Sequence, residues 1–379
     1  MRHANLRRIA FIAAVILGLG ISGCTSRGQW GDPNKIQVTF GAVLPLTGAI
    51  SDYGRETSSG IDLAIEQANM RSSRYQYRVL YEDSKGTSAE AIGSLRKLIQ
   101  VNGVAAVVGE NISGPTVAMV PVADAAKVTI ISPSAASPIL SGMSKYFFRI
   151  YPSDAAEGAY LGNAVYSTFG VRTAAVLFLN NESCAALKDA FVETFTAGGG
   201  SIVQTLSYND SETDFRPFLT NINRSNPEAI YLAGYYQDGG AILRQARELG
   251  IRARFFGSTT HENPQLLNIA GEAAEGFIYP FSVGYDENLP ESIAFRRDYI
   301  EKNGQDPGAA AVLGYDCIQL LVKAVEAGGP DRAAIRDQLA KIEGFKGATG
   351  EITFQPTGDV EKPVSLRIVK GGEFVIWEN

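Results

Sequence analysis

The side chains able to do acid–base, nucleophilic or metal chemistry are few in this sequence. It contains two histidines, His3 and His261, and three cysteines. Cys184 and Cys317 fall into neither a C-x-x-C nor a Cys/His spacing, so we expect two buried free thiols and no zinc site or disulfide framework. His261 stands beside Glu262 without a paired nucleophile, and no H-E-x-x-H, phosphate-loop or nucleophile-elbow motif occurs. The sequence therefore predicts a non-enzyme with no metal and no cofactor.

Hydrogen-bonding groups are concentrated instead in one short segment. Residues 128–138 read VTIISPSAASP, an apolar strand followed by seven residues without a large side chain. Pro133 and Pro138 favour an extended backbone, so a bound molecule can reach the peptide groups and the serine hydroxyls. A surface turn is the alternative, because serine and proline also favour turns. We interpret the segment as a ligand-binding loop.

Apolar strands that alternate with helical patterns position this loop. Strands are expected at 36–44, 77–83, 104–110, 128–133, 173–179, 228–234, 254–259 and 277–286, with two antiparallel strands joined by a Gly-Gly turn after 350. Helices are expected at 54–69, 88–101, 115–126, 154–168, 184–197, 214–224, 238–249, 290–303, 307–327 and 331–342. Nearly continuous apolar strands separated by helices are typical of parallel sheets covered on both faces.

The same order of elements occurs twice along the chain. Residues 104–138 and 228–263 each read strand, loop, helix, strand, loop. This repetition predicts an α/β fold made of two similar lobes. Ligands bind outside the carboxyl ends of the strands in open α/β sheets, so two facing sheet edges form a cleft.

The N-terminal residues predict export. Three arginines precede the apolar run IAFIAAVILGLGISG, which is typical of a secretory signal and short for a membrane-spanning helix. Residues 21–24, Ile-Ser-Gly-Cys, resemble the lipobox of bacterial lipoproteins, which implies a signal peptide at 1–23 and lipidation of Cys24. A plain signal peptide or an uncleaved anchor is the alternative. Residues 24–35 are then a tether.

The net charge of the mature chain argues against two classes of binding partner, nucleic acids and anionic lipid surfaces. Removal of the signal peptide leaves 356 residues, enough for about two domains. It also removes three arginines, so the formal net charge changes from −6 to −9. An acidic exported chain is a poor candidate for binding nucleic acid or anionic lipid surfaces.

Several longer segments resemble one family. GAVLPLTGAISDYGRETSSGIDLAIEQAN, VVGENISGPTVAMVPVADAAKVTIISPSAASP and YLAGYYQDGGAILRQARELG are similar to periplasmic branched-chain amino acid (Leu/Ile/Val) binding proteins, the type I substrate-binding lipoproteins of ABC importers. The resemblance covers 36–375. It implies two lobes, each a parallel sheet flanked by helices, joined by a three-strand hinge. Residues 36–150 with 281–349 form one lobe in this interpretation, and 151–280 with 350–379 form the other.

The resemblance also implies ligand-binding residues. Tyr53 and Tyr235 occupy the positions of cleft tyrosines, and Ser113 occupies that of a serine that binds the ligand's α-carboxylate. Ser134 and Ala136 occupy the second anchor, where peptide groups and a threonine hydroxyl hold the ammonium and the carboxylate. Ser113 precedes a predicted helix, whose N-terminus favours an anion, although a plain N-cap is the alternative.

Three positions differ from the family pattern. The threonine is Ala136 with Ser137 beside it, a second-lobe tyrosine is Ser183, and the glutamate that pairs with the ligand ammonium is Thr259. Burial of an ammonium without an acidic partner costs several kcal/mol. Either the ligand lacks an α-ammonium or another acid replaces the glutamate. The candidate acids near the predicted loops are Glu262, Asp238, Glu110 and Asp316.

The function implied by the resemblance is ligand binding without catalysis. The chain resembles a substrate-binding component that closes two lobes on a small carboxylate-bearing ligand and delivers it to an ABC permease in the cytoplasmic membrane. The ligand is a branched-chain or other amino acid, or a related organic acid. We expect a monomer, anchored by lipid to a membrane that faces the periplasm or the cell exterior. The alternative is a ligand sensor that presents the same fold to a signalling partner.

Overall fold

The computed structural model describes residues 31–48, 50–281 and 289–378. The predicted signal peptide and the lipidation of Cys24 lie outside these residues, as does most of the predicted tether. Across the described ranges, no helix is both long and apolar enough to cross a bilayer.

Short, largely apolar strands build the sheets. In chain order they are β1 (Ile36–Leu44), β2 (Tyr75–Asp83), β3 (Ala106–Gly109), β4 (Thr129–Ser132), β5 (Phe147–Arg149), β6 (Thr173–Leu179), β7 (Ser201–Tyr208), β8 (Ala229–Ala233), β9 (Arg254–Phe256), β10 (Ile278–Phe281), β11 (Phe345–Gly347), β12 (Gly350–Phe354), β13 (Val360–Glu361), β14 (Ser365–Lys370) and β15 (Glu373–Ile376). Strands β3, β4 and β8 are buried at every residue, as expected for parallel strands covered on both faces.

The described strands form two main sheets and one small one. The first sheet has the order β2-β1-β3-β4-β5 and is parallel throughout. The second has the order β15-β14-β10-β9-β8-β6-β7 and is parallel from β10 to β7, while β14 and β15 run antiparallel at one edge. Strands β11, β12 and β13 form the small antiparallel sheet. The predicted α/β class is confirmed.

Helices cover the faces of both main sheets. In chain order they are α1 (Ser51–Arg71), α2 (Ser88–Lys97), α3 (Ser113–Ala126), α4 (Asp154–Ser167), α5 (Glu182–Ala197), α6 (Arg216–Arg224), α7 (Tyr236–Glu248), α8 (Pro264–Ala270), α9 (Pro290–Asn303), α10 (Ala309–Gly328) and α11 (Arg332–Leu339). Their apolar stripes follow the helical period; in α7, for example, Ile242, Leu243 and Ala246 are buried. Each sheet with its helices has its own apolar core.

Most of the predicted elements match the structure, but several short ones, among them β5, β7, β11 and α8, were not predicted. β5 has only three residues, too few for a pattern to show. β7 alternates between half-buried and exposed residues, because it is the edge of its sheet and packs on one face alone. The continuous apolar runs that reveal central strands are therefore missing at β5 and β7.

The end of the chain divides differently from the expected boundaries. Residues 350–379 were assigned to the second lobe, but Ile352, Phe354 and Val360 pack into the core of the first sheet. Only β14 and β15 join the second sheet. The chain thus leaves the first lobe after β13, at about residue 362. The crossing between the lobes was expected near residue 349, before β12 and β13, and that position is wrong.

Candidate cleft between the two sheets

Most of the predicted site residues follow the carboxyl ends of parallel strands. Tyr53 lies on α1 after β1, Ser113 begins α3 after β3, and the Ser-Pro-Ser loop follows β4. In the second lobe, Ser183 lies on α5 after β6, Tyr235 follows β8, and Thr259 follows β9. Because parallel strands end at one edge of a sheet, each lobe presents these residues on a single surface.

The Ser113 hydroxyl organises the small-residue loop of the first lobe. Its Oγ accepts hydrogen bonds from the amides of Ala136 (3.2 Å) and Ser137 (3.0 Å). Ser134 Oγ donates to the carbonyl of Asn111 (2.9 Å), which fixes the other end of the loop. No side chain caps the start of α3, whose N-cap is Ile112. Ser113 is therefore not the plain N-cap that was the alternative, and its hydroxyl hydrogen is available to another acceptor.

A buried arginine holds the same loop in place through hydrogen bonds to its backbone. Arg149 has no exposed surface, and its guanidinium donates to the carbonyls of Ala135 (3.2 Å) and Ser137 (2.9 Å) and to Ser141 Oγ (2.7 Å). Its Nε forms an ion pair with Asp359 (2.6 Å). A buried charge needs such pairing, and here the pairing fixes the backbone of the loop.

Two tyrosines, one from each lobe, line the cleft. Tyr53 of the first lobe is 57% exposed and Tyr235 of the second is 38% exposed, so both rings are open to a ligand. Partial burial raises the pKa of Tyr235 to about 12, and the nearby Tyr53 contributes to the increase. Tyr236, the neighbour of Tyr235, packs against the second core. A side-chain hydrogen bond joins the two lobes, from Ser137 Oγ to Glu182 Oε1 (2.7 Å).

Two acids that the sequence analysis did not select lie at the same place. Asp154 and Glu157 belong to the first turn of α4, directly after the chain enters the second lobe. Ser183 Oγ donates to Asp154 Oδ2 (2.8 Å), and the amide of Thr259 donates to Glu157 Oε1 (2.8 Å). The amide of Asp154 donates to the carbonyl of Ala136 (2.9 Å). The acids therefore lie between the loop of the first lobe and the loops of the second.

Burial raises the pKa of both carboxyls. The pKa of Asp154 rises to about 6 through burial, with Glu182 adding to the increase and Ser183 and Arg149 opposing it. The pKa of Glu157 rises to about 7 through burial, with Asp154 adding to the increase and Thr259 opposing it. Both carboxyls therefore titrate near neutral pH.

The acids selected from sequence have partners elsewhere. Glu262 forms an ion pair with Arg367 (2.5 Å) and accepts from the Tyr279 hydroxyl (2.8 Å), which uses both of its oxygens. Asp238 accepts from the Tyr208 hydroxyl (3.1 Å). Glu110 accepts from Ser84 Oγ and from the amide of Ile112, and Asp316 accepts from the amides of Ala348 and Thr349. Each of these carboxylates is satisfied within its own lobe.

Histidine and cysteine do not contribute to the cleft chemistry. His261 is fully buried, its Nδ1 accepts from the amide of Ser258 (3.1 Å), and burial lowers its pKa to about 4. Cys184 and Cys317 are buried and free, as predicted. Among the described residues, no group of three or more His, Cys, Asp and Glu side chains has the geometry to hold a metal ion.

The acids on α4 carry a weak sequence signal. The segment SDAAEG reads as an ordinary helix start, with an acid in the first turn that complements the helix dipole. The spacing of Asp154 and Glu157 places them on one face, and they follow the crossing between lobes among small residues. Only the tertiary contacts with Ser183 and Thr259 show where that face points.

Comparison with known proteins places the chain in a family. Residues 37–373 match the family described as periplasmic binding protein. The chain is 26% identical over 356 residues to the leucine-, isoleucine-, valine-, threonine- and alanine-binding protein of Pseudomonas aeruginosa, which covers 92% of this chain and 93% of that protein.

Solved structures agree with this assignment. A leucine binding protein from Thermotoga maritima is 30% identical with a TM-score of 0.79, covering 90% of this chain and 98% of that one. A solute binding protein from Rhodopseudomonas palustris, in complex with 3,4-dihydroxybenzoic acid, is 26% identical with a TM-score of 0.77, covering 90% and 96%. The two-lobed architecture, the facing strand ends and the match over most of the chain lead to one conclusion: this chain belongs to the periplasmic binding protein family.

Proposed function

We propose that this chain is the exported, lipid-anchored binding component of an ABC importer, and that it closes two lobes on a small carboxylate-bearing ligand before delivering it to a permease. The observation that carries the proposal is the convergence on one cleft of loops that follow parallel strands of both main sheets, in a chain of the periplasmic binding protein family. The named ligands of the similar proteins, branched-chain amino acids and a benzoic acid, share a carboxylate.

The start of α3 supports a carboxylate site. Ser113 Oγ already accepts two amide hydrogen bonds, so its own hydrogen donates outward. The helix that it begins has 14 residues and no side-chain cap, and its partial positive charge favours an anion by about 0.3–1 kcal/mol. The ligand carboxylate, in this proposal, contacts the Ser113 hydroxyl at this helix start.

The contacts between lobes support closure. Tyr53 and Tyr235 come from opposite lobes, and the Ser137–Glu182 bond joins loop to helix across the cleft. The hinge in this proposal consists of the crossings after β5, after β10 and after β13. Closure is a population shift driven by contacts that the ligand makes with both lobes.

Binding and uptake together test the proposal. The mature chain, freed of carried-over ligand by refolding, is titrated by calorimetry with L-leucine and with 3,4-dihydroxybenzoic acid, and compactness is followed by X-ray scattering. We expect a carboxylate to bind and to compact the protein, and Ser113→Ala to weaken binding about tenfold. The matched control is Ser58→Ala, at a half-buried serine of α1 whose hydroxyl donates to the carbonyl of Arg55.

Two results contradict the proposal. The carboxylate site is refuted if neither probe binds, or if Ser113→Ala and Ser58→Ala bind alike. The importer role is refuted if a strain lacking the gene takes up the bound ligand as fast as its parent. Loss of a transcriptional response in that strain, with uptake intact, favours the sensor instead.

A further inference from the structure

Two carboxylates lie side by side in the cleft without a cation. Asp154 and Glu157 are 4% and 5% exposed, and three residues of helix separate them, so they share a face of α4. In the described part of the chain, no lysine or arginine forms an ion pair with either one. Their hydrogen-bond donors are a serine hydroxyl and a peptide amide, which carry no charge.

The groups around the pair supply little positive charge. Asp154 is faced by Glu182 of α5, and Glu157 by the phenols of Tyr151 and Tyr231, which stay neutral because burial raises their pKa values. Arg149 interacts with Asp154, but its guanidinium is already paired with Asp359. A buried site with this balance is stabilised by a cation from outside the chain.

A purely structural role explains the two acids only in part. Both lie in the first turn of α4, where an acid complements the helix dipole. The carboxylate of Glu157 also accepts from the amide of Thr259, on a loop 102 positions along the chain, which the helix dipole does not require. A carboxylate held in that way is positioned for something that enters the cleft.

The position of the pair relative to the carboxylate site is defined by backbone contacts. Asp154 donates through its amide to the carbonyl of Ala136, and the amide of Ala136 donates to Ser113 Oγ. Ala136 therefore links Ser113, at the helix start that favours an anion, to Asp154, one of the two acids that favour a cation. An α-amino acid has its two charged groups on one carbon atom, so this short path suits it.

We infer that Glu157, together with Asp154, binds the ammonium group of the ligand. It would replace the family's glutamate, whose position is occupied here by Thr259. The inference rests on the proposed function and narrows it: the ligands are amino acids, and carboxylic acids without an amino group bind far more weakly. Thr259 and Ser183, which differ from the family pattern, act by holding these two carboxylates.

The test removes each charge separately. Thermal shift of the mature chain is measured with the 20 protein L-amino acids, benzoic acid and 3,4-dihydroxybenzoic acid, because a ligand that binds the folded form raises Tm. Each amino acid that binds is then compared by calorimetry with its des-amino acid and with its amino alcohol, which keeps the ammonium and lacks the carboxylate. The variants are Glu157→Gln and Asp154→Asn. The control is Glu272→Gln, which makes the same change at a side chain that is 89% exposed.

The expected result is a loss of affinity that depends on the ammonium. An amino acid binds, its des-amino acid binds about 100-fold more weakly, and Glu157→Gln weakens the amino acid by a similar factor, while Glu272→Gln has no effect. The amide of glutamine still accepts from Thr259, so the loop position is kept. In Glu157→Gln the des-amino acid gains relative to the amino acid, which a folding defect does not produce.

The failure of this inference is distinguishable from that of the proposed function. If benzoic acids or des-amino acids bind and no amino acid does, the ammonium site is refuted and the carboxylate site stands. If amino acids bind but both Glu157→Gln and Asp154→Asn leave the affinity within about threefold, the acid pair is refuted. If neither class binds, both proposals are refuted.

Discussion

The ligand-free protein should lose stability as pH rises through the range in which Glu157 ionises. The pKa of this carboxyl is raised from 4.5 to about 7 in the folded chain. Between these two values the folded state holds a proton that the unfolded state has released, so the free energy of unfolding falls as pH increases. Above pH 7 both states are ionised and the loss is complete.

The size of the effect follows from the same two values. Each tenfold difference in proton affinity corresponds to 1.36 kcal/mol, so ionisation of Glu157 destabilises the folded chain by about 3 kcal/mol. Asp154, whose pKa is about 6, acts in the same direction, and the two carboxyls titrate as a coupled pair. Glu157→Gln removes this proton and keeps the acceptor for Thr259.

Urea denaturation of the ligand-free chain at pH values from 5 to 8 measures this difference. We expect Glu157→Gln to be less dependent on pH than the parent, and to be the more stable of the two at pH 8 by about 2–3 kcal/mol. Glu272→Gln, at an exposed side chain, should follow the parent at every pH. If the free energy of unfolding depends on pH in the same way for Glu157→Gln and for the parent, the raised pKa of the buried Glu157 carboxyl is refuted.

Three further outcomes follow from the structure. Binding of an amino acid at pH 6 should release protons, because the ammonium favours ionised Glu157; calorimetric enthalpies that do not depend on the buffer would contradict this. Gly60→Ala should destabilise the protein by several kcal/mol in thermal unfolding, since its Cβ would lie 1.8 Å from the carbonyl oxygen of Ala311. The control Gly93→Ala, on α2 with open space around it, should stabilise by up to about 1 kcal/mol. Equal effects of the two substitutions would refute the close packing of α1 against α10. Arg149→Met should cost about 3–5 kcal/mol in urea denaturation, because it leaves Asp359 without its cation and removes the guanidinium donor to the carbonyls of Ala135 and Ser137; a cost below about 1 kcal/mol would show that the loop does not depend on Arg149.

The sequence predicted the central strands and the loops that follow them because their chemistry is local. A buried parallel strand such as β8 is apolar at every residue, and the small residues after β4 interrupt that pattern visibly. The resemblance to a family then supplied the pairing of loops across the cleft. The edge strand β7 and the three-residue β5 were missed, since neither contains a continuous apolar run.

The acids of the cleft could not be predicted in the same way. Glu262 was the candidate nearest in sequence to Thr259, but Arg367, 105 residues later, neutralises it. Glu157 lies 102 residues before Thr259 and is in contact with it. Distance along the chain is uninformative for contacts between separate loops, because the strand order of the sheet, and not the sequence, brings them together.

The buried Arg149 has a consequence for the order of events during capture. Its bonds to Ala135, Ser137 and Asp359 involve the first lobe alone. If the lobes close as proposed, the loop would keep its shape in both the open and the closed state, and an arriving ligand would meet a rigid half-site whose conformational entropy is already lost. In that proposal the first lobe governs the association rate, and the contacts that the second lobe adds govern the residence time.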